Sequence, residues 1–302
     1  MLLIVGEAIV AYQRDLGAGG TDTGQAFTGP WASGSPAIAA YVAAGLGVDT
    51  RFVGGVGADE RGQVMRRAFE RTGVGLEGLR VVSGLRTASA RITYRGDAHR
   101  EFDFDVRGTA AGAVREADLG TLPEHADWVH LSGSALVFGD PLASTALAAF
   151  DRARRAGART SVDPNVRPEA LDEGARTALV EAIGHADVLL PSEGEMEALG
   201  LDPGRIAESG TTVCTTYGPG GAEVRERGST TRLDAVPVEV VDADGAGDTF
   251  AAAFIAASIA GASPVAAAGA GVRVAAHVIG VEGPMTADLD PGLLDGPAPV
   301  RR

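Results

Sequence analysis

Short apolar runs rich in β-branched residues recur along the chain: "LLIV", "RFVGGV", "DWVHLSG", "RTSVDPN", "DVLLPS", "TTVCTTYG" and "VPVEVVDA". Helical stretches such as "DPLASTALAAFDRARRAG" separate them. This alternation predicts βαβ units and a mainly parallel sheet covered by helices on both faces. Ligand groups then gather at the carboxyl ends of the strands, where Asp163, Asn165, Ser192, Gly218 and Asp242 fall. Two stretches break the pattern. Residues 8–31 are rich in Gly and Thr, and "ASARITYRGDAHREFDFDV" (88–106) alternates apolar and polar positions around a hairpin turn. Both fit a small β-layer outside the main sheet, and a surface hairpin without function fits them equally well.

Composition narrows the classes. The 302 residues, 45% of them hydrophobic, suffice for one large core, so a single α/β domain spanning 1–302 is expected. A net charge of −14 without a basic run argues against a nucleic-acid or membrane partner. The chain has no lysine, so all 26 basic residues are arginine. That excludes a Walker-type P-loop, Schiff-base enzymes and eukaryotic-type protein kinases. Cys214 is the only cysteine, which rules out an intrachain disulfide or a cysteine metal cluster. "MLLIVGEAIV" reads as a buried strand rather than a leader peptide. Residues 250–272 are uncharged but are divided by Gly261, Ser263 and Pro264, which predicts two buried helices rather than a membrane span. A cytoplasmic protein is the expectation.

The candidate chemistry lies in "VDADGAGDTFAAAF" (241–254). A strand ending near Val241 and a helix starting near Thr249 would leave the N–H groups of Gly245, Ala246, Gly247 and Asp248 free at the positive helix end, an anion hole. A carboxylate there makes sense if Asp248 takes a proton from a hydroxyl that attacks the bound anion, which is phosphoryl transfer to an alcohol. A plain helix cap, worth about 1 kcal/mol, is the competing reading of Asp248. Other motifs fail: Glu60 stands where the dinucleotide fingerprint after Gly55 and Gly57 needs a glycine, and there is no Gly-x-Ser-x-Gly or His-Glu-x-x-His.

"VVDADGAGDTFAAAF" resembles the C-terminal signature of the ribokinase-like, or phosphofructokinase-B, sugar kinase family. The likeness extends through "GE" (6–7), "SGSPAIAAYVAAGLG" (33–47), "FVGGVGADERGQVMRRAFERTGV" (52–74), "DPNVRP" (163–168), "LLPSEGE" (189–195) and "TTYGPGGAEV" (215–224), in family order. The resemblance implies a ribokinase-like α/β fold, a mainly parallel sheet sandwiched by helices, with a small β-lid near 8–31 and 88–106. It implies ATP-dependent phosphorylation of a sugar hydroxyl, with Asp248 as base and the amides of Gly245, Ala246 and Gly247 on the transferring phosphoryl group. Glu195 matches a residue associated with hydrated Mg2+. Thr216, Gly218 and Gly221 match the ATP-contacting turn, with Ala276 and His277 near adenine. Asp242 lies near the monovalent-cation (K+) site used in parts of the family. Gly34, Asn165, Arg167 and Asp248 are the expected sugar pocket, with Glu7 as a further contributor.

Departures bear on the substrate. Ser192 replaces the family's usual Asn beside the magnesium network, and Ile38 stands where many members carry a sugar-binding Asn. Asp105 and Val106 occupy the place of a Tyr-Arg pair common in 2-keto-3-deoxygluconate kinases, and Arg107, one step on, would face the other side of a continuing strand. The segments at 33–38, 103–107 and 190–192 resemble tagatose-kinase-like members, which point to a neutral ketohexose. A 2-keto-3-deoxygluconate kinase, a nucleoside kinase and a non-catalytic sugar or nucleotide sensor are the rivals. Two lids pairing through an exposed apolar face would give a homodimer.

Overall fold

The run Leu2–Val5 shows how the chain divides its core. This strand, β1, is wholly buried; Leu2 and Ile4 enter one hydrophobic cluster and Leu3 and Val5 the other, as side-chain alternation requires of a strand covered on both faces. The computed structural model describes residues 1–15, 26–95, 99–166 and 171–301.

The strands follow as β2 (Ile9–Asp15), β3 (Thr28–Ser33), β4 (Thr50–Gly57), β5 (Gly75–Val82), β6 (Ala88–Arg95), β7 (His99–Asp105), β8 (Trp128–Ser132), β9 (Arg159–Asp163), β10 (Val188–Leu189), β11 (Thr212–Thr216), β12 (Ala222–Glu226) and β13 (Ser229–Leu233). The helices are α1 (Ser35–Gly45), α2 (Glu60–Thr72), α3 (Leu122–His125), α4 (Ser134–Val137), α5 (Leu142–Arg155), α6 (Glu173–Ile183), α7 (Glu195–Ala198), α8 (Pro203–Glu208), α9 (Ala246–Ile259) and α10 (Pro264–Val278). Nine strands form the main sheet in the order β13-β12-β11-β10-β9-β8-β1-β4-β5. All its pairings are parallel except β11 with β12 and β12 with β13. Helices α1, α2, α9 and α10 pack on one face and α5 and α6 on the other.

The uncharged run after residue 249 is two helices, as its punctuation predicts. Ser263 caps α10, its side chain accepting from the Ala266 N–H, and Pro264 starts the helix. Helix α9 is apolar on every side because it is enclosed between α1 and α10. Among the described residues no helix is long and apolar enough to cross a membrane.

The second, four-stranded sheet has the order β3-β2-β6-β7 and is built from the two stretches that broke the βα alternation. Its β6–β7 hairpin pairs Ala90 with Phe104, so Ala90, Ile92 and Phe104 share one face. Residues 16–25 and 96–98 of these stretches lie outside the described residues. The sheet is fastened to the body by the first turn of α2. Asp59 caps that helix through the Gly62 N–H (2.8 Å) and accepts from both the N–H and the hydroxyl of Thr87, one residue before β6. Arg61 donates to Tyr12 Oη (3.2 Å) and Ser89 Oγ (3.3 Å), reaching β2 and β6 together.

One expected element is absent. Residues 237–240 of "VPVEVVDA" form no strand, and Val238, Val240 and Val241 are 39%, 56% and 58% exposed. The outer side of the edge strand β13 is met by the C-terminal residues, with the Asp234 N–H donating to the Pro299 carbonyl and the Arg301 N–H to the Arg232 carbonyl, so the β-prone run finds that edge taken. Asp242 therefore follows an irregular segment rather than a strand end.

A buried histidine gives the fold a pH dependence. Ser161 Oγ accepts from Trp128 Nε1 (2.8 Å) and lies 2.8 Å from His130 Nδ1, so its proton serves a neutral imidazole carrying its own proton on Nε2. Burial pushes the His130 pKa down from 6.5 to about 4. The unfolded chain thus binds a proton that the folded chain refuses, and stability is lost as pH falls from about 6.5 towards 4, roughly 3 kcal/mol in all. Urea unfolding at pH 7 and pH 5 should show His130→Asn losing about 2 kcal/mol less than the parent over that interval.

Candidate active site

The mouth of α9 is shaped by what its sequence leaves out. Gly245 caps the helix at φ +74°, and a Cβ there would stand 2.9 Å from Ile38 Cδ1 and 3.1 Å from Pro284 Cβ. Both the backbone conformation and the space call for glycine. The first helical hydrogen bond runs from Thr249 N to Gly245 O, so the N–H groups of Ala246, Gly247 and Asp248 precede the ladder. The helix begins at Ala246, earlier than the sequence indicated, which puts Asp248 inside the first turn at 9% exposure. Asp242 steadies the approach: one carboxylate oxygen accepts from the Asp244 N–H (2.9 Å), the other from the Gly283 N–H (3.0 Å).

Gly245, Ala246, Gly247 and Asp248 border a cavity of about 740 Å³ between the two sheets, shared with Gly34, Asn165 and Glu195. Gly34 stands at φ +108°, where a Cβ would come within 2.9 Å of the Glu7 carbonyl oxygen. Asn165, at φ +41°, donates from Nδ2 to Ser35 Oγ (2.7 Å), and its N–H donates to Asp163 Oδ1 (2.9 Å). Glu7, 3% exposed, accepts from Ser134 Oγ at 2.7 Å. Against this polar floor stands an apolar wall including Ile9, Ile92 and Phe104 from the small sheet and Val137 and Phe138 from the body. The period-2 alternation of 88–106 carried the signal for Ile92 and Phe104, which sequence reasoning did not assign to the site.

Glu195 has a positioning role that its motif did not reveal. Its Oε1 accepts from the Val166 N–H and its Oε2 from the Ser192 N–H, both at 2.8 Å, so it ties the segment after β9 to the one after β10. Ser192 Oγ lies 3.3 Å from Thr216 Oγ1 at the end of β11, linking the cavity to the 3-10 turn at Gly218–Gly220 and to Gly221. Thr216, Gly218, Gly221, Asp242, Ala276 and His277 lie outside the cavity lining. Ala276 is buried on α10, and His277 Nε2 is 2.8 Å from the Asp288 carbonyl. The exposed Val238, Val240 and Val241 lie near the C-terminal end of α10, where the Val241 N–H bonds the Ile279 carbonyl.

Arg107 differs from its expectation. Strand β7 stops at Asp105, whose carboxylate pairs with Arg86, so the alternation ends there and Val106 and Arg107 both border the cavity. Arg167 lies outside the described residues. Among the described residues, no group of three His, Cys, Asp or Glu side chains is arranged to hold a metal by itself.

The model of the pfkB family carbohydrate kinases matches residues 1–290. A fructokinase of Klebsiella pneumoniae is 31% identical over 233 residues, covering 74% of this chain and 75% of its own. An ATP-dependent ribose-1-phosphate kinase of Halopiger xanaduensis is 33% identical over 254 residues, covering 83% and 76%. Among solved structures, a protein of Escherichia coli in complex with ATP and Mg2+ superposes with a TM-score of 0.88 at 28% identity, covering 97% of each chain. A fructokinase of Vibrio cholerae with fructose, ADP and calcium bound gives 0.83 at 26% identity, also covering 97% of each.

Gly245→Ala should cost about 1–3 kcal/mol, through the left-handed φ and the encounter with Ile38, and should displace the helix mouth. Chemical denaturation would read the first effect. Turnover reduced at least tenfold would read the second, and full activity would show that the mouth tolerates displacement.

Proposed function

This chain is a member of the pfkB family of carbohydrate kinases, and from that membership we propose that it transfers the γ-phosphoryl group of ATP to a hydroxyl of a neutral ketohexose of the fructose or tagatose type. The observation that carries this reading is Asp248, a largely buried carboxylate in the first turn of α9, beside amides that precede the helical ladder, in one cavity. Asp248 accepts the proton of the attacking hydroxyl. The N–H groups of Gly245, Ala246 and Gly247 stabilise the charge on the transferring group. Magnesium, when bound, neutralises phosphate charge, and Glu195 would meet its water shell while keeping its two backbone hydrogen bonds. The exposed strip of Val238, Val240 and Val241 beside α10 is suited to a flat apolar base, and Thr216, Gly218, Gly221, Ala276 and His277 flank the nucleotide in this reading.

The names of the relatives support a neutral acceptor. Six carboxylates, those of Glu7, Asp163, Asp172, Glu195, Asp244 and Asp248, border the cavity, and Arg107 is the one basic residue among its described lining. Fructose is the substrate named for several relatives. Gly34, Asn165 and Arg167 complete the sugar pocket in this reading. Arg107 favours one second reading, 2-keto-3-deoxygluconate, because a guanidinium at the rim suits a carboxylate.

The four-stranded sheet serves as a lid whose closure excludes water from the reaction. A K+ ion near Asp242 and a homodimer joined through paired lids belong to the same proposal; replacing K+ with tetramethylammonium tests the first and light scattering the second.

A coupled ADP-release assay with MgATP should give fructose or tagatose a kcat/KM at least tenfold above 2-keto-3-deoxygluconate; the reverse order would establish the Arg107 reading. Asp248→Asn should lower kcat by roughly 10²–10⁴-fold with the fold intact. Unchanged turnover would reduce Asp248 to a helix cap. ATP hydrolysis without sugar should remain a small fraction of turnover with it.

A further inference from the structure

Resting on the nucleotide side of that reading, we propose that Arg301 is a nucleotide-positioning residue, holding the glycine turn at 218–221 in the shape that receives ATP. The turn needs an outside hold. Gly218, Gly220 and Gly221 make up three of its four residues, with φ +53° at Gly218 and +87° at Gly221, and glycine loses the most conformational freedom when it is fixed. Its own hydrogen bonds close on themselves: the Gly220 N–H donates to the Tyr217 carbonyl (2.9 Å), the Gly221 N–H to the Gly218 carbonyl (3.1 Å) and the Tyr217 N–H to the Gly221 carbonyl (2.8 Å). At one end Gly221 is pressed against β13, where a Cβ would collide with the Leu233 carbonyl oxygen. At the other, the Gly220 carbonyl accepts from Arg301 Nη2 at 3.2 Å, across 81 residues of sequence.

Arg301 is brought there by a segment that family membership does not account for, since the family model matches residues 1–290. The segment is anchored along α10. Arg273 donates to the Leu294 (2.6 Å) and Pro297 (3.0 Å) carbonyls, and Ala298 takes the space beside Gly269, where a Cβ would stand 2.7 Å from it. Residues 299–301 then lie antiparallel to β13, with Val300 opposite Leu233 and backbone bonds on either side. The backbone of Arg301 is thus fixed independently of its side chain. Asp234 Oδ1 accepts from Arg301 Nε at 2.6 Å, which sets the guanidinium plane and leaves Nη2 on the Gly220 carbonyl. An exposed ion pair contributes little by itself; this one orients a donor whose other partner is the turn. A planar fork meets a carboxylate and a carbonyl together, as a single ammonium on a flexible stem does not. Holding the turn before the nucleotide arrives removes an ordering cost from ATP binding.

The test compares Arg301→Ala with the parent by calorimetric titration of MgATP without sugar and by steady-state kinetics with fructose. The Kd and KM for MgATP should rise about three- to tenfold, with the fructose KM and the thermal midpoint unchanged. Arg301→Lys should recover less than about half of the loss. Asp234→Asn, which removes the orienting carboxylate, should weaken MgATP binding by a smaller factor, and it carries the test if Arg301→Ala does not fold. The ratio of Kd between Arg301→Ala and the parent should persist at about 0.5 M NaCl; a ratio that vanishes there would reduce Arg301 to a charge attracting phosphate and overturn the positioning role. Equal MgATP binding by parent and Arg301→Ala, or a fructose KM rising in step with that for MgATP, would overturn the assignment alone. A parent that does not bind MgATP would overturn the nucleotide reading and the assignment with it. A parent that binds MgATP without turning over fructose would overturn only the ketohexose reading, and the titration then decides the role of Arg301.

Discussion

The site depends on one steric constraint: the first turn of α9 must meet the cavity with backbone rather than side chains. Gly245 provides the left-handed turn and yields the space to Ile38 and Pro284, and Ala246 and Gly247 keep the next amides uncovered. The helix behind them is held by apolar contact on every side with α1 and α10. Its uncharged, alanine-rich composition is the condition for holding Asp248 at a fixed place. Ile38 belongs to the same construction. It places a methyl-bearing side chain against Gly245, so one residue shapes both the cavity and the helix mouth.

Around that mouth the two sheets divide the work. The parallel sheet delivers Glu7, Asp163 and Asn165 from strand ends, while the small sheet brings Ile9, Ile92 and Phe104 over them. The result is a cavity polar below and apolar above. Asp59 and Arg61 join the two parts at the start of α2, so the geometry of the apolar wall is set by hydrogen bonds outside the cavity.

The βα alternation, the second sheet, the two buried helices and the glycine turn before α9 were legible because each rests on local pattern: apolar periodicity, glycine placement and helix punctuation. What was not legible depends on partners distant in sequence. The run at 237–241 has the composition of a strand, but residues 299–301 occupy the edge of β13, and the run lies exposed. Arg107 reaches the cavity because β7 stops at Asp105, and strand ends are set by pairing rather than by propensity. The Glu195 bonds to Val166 and Ser192 use backbone amides, which no motif of side chains records. Glu7 and Ser134 are separated by 127 residues and meet only because β1 and β8 are adjacent in the sheet.

In the function proposed above, Asp248 is the base acting on a sugar hydroxyl at the mouth of α9. The most direct measurement is a crystal structure with fructose, Mg2+ and a non-hydrolysable ATP analogue. The account predicts a sugar hydroxyl at about 2.6–3.2 Å from the Asp248 carboxylate, with the terminal phosphate of the analogue against the amides of Gly245 to Gly247. A sugar bound elsewhere, or an Asp248 carboxylate turned back onto its own helix while sugar and nucleotide are in place, would contradict it.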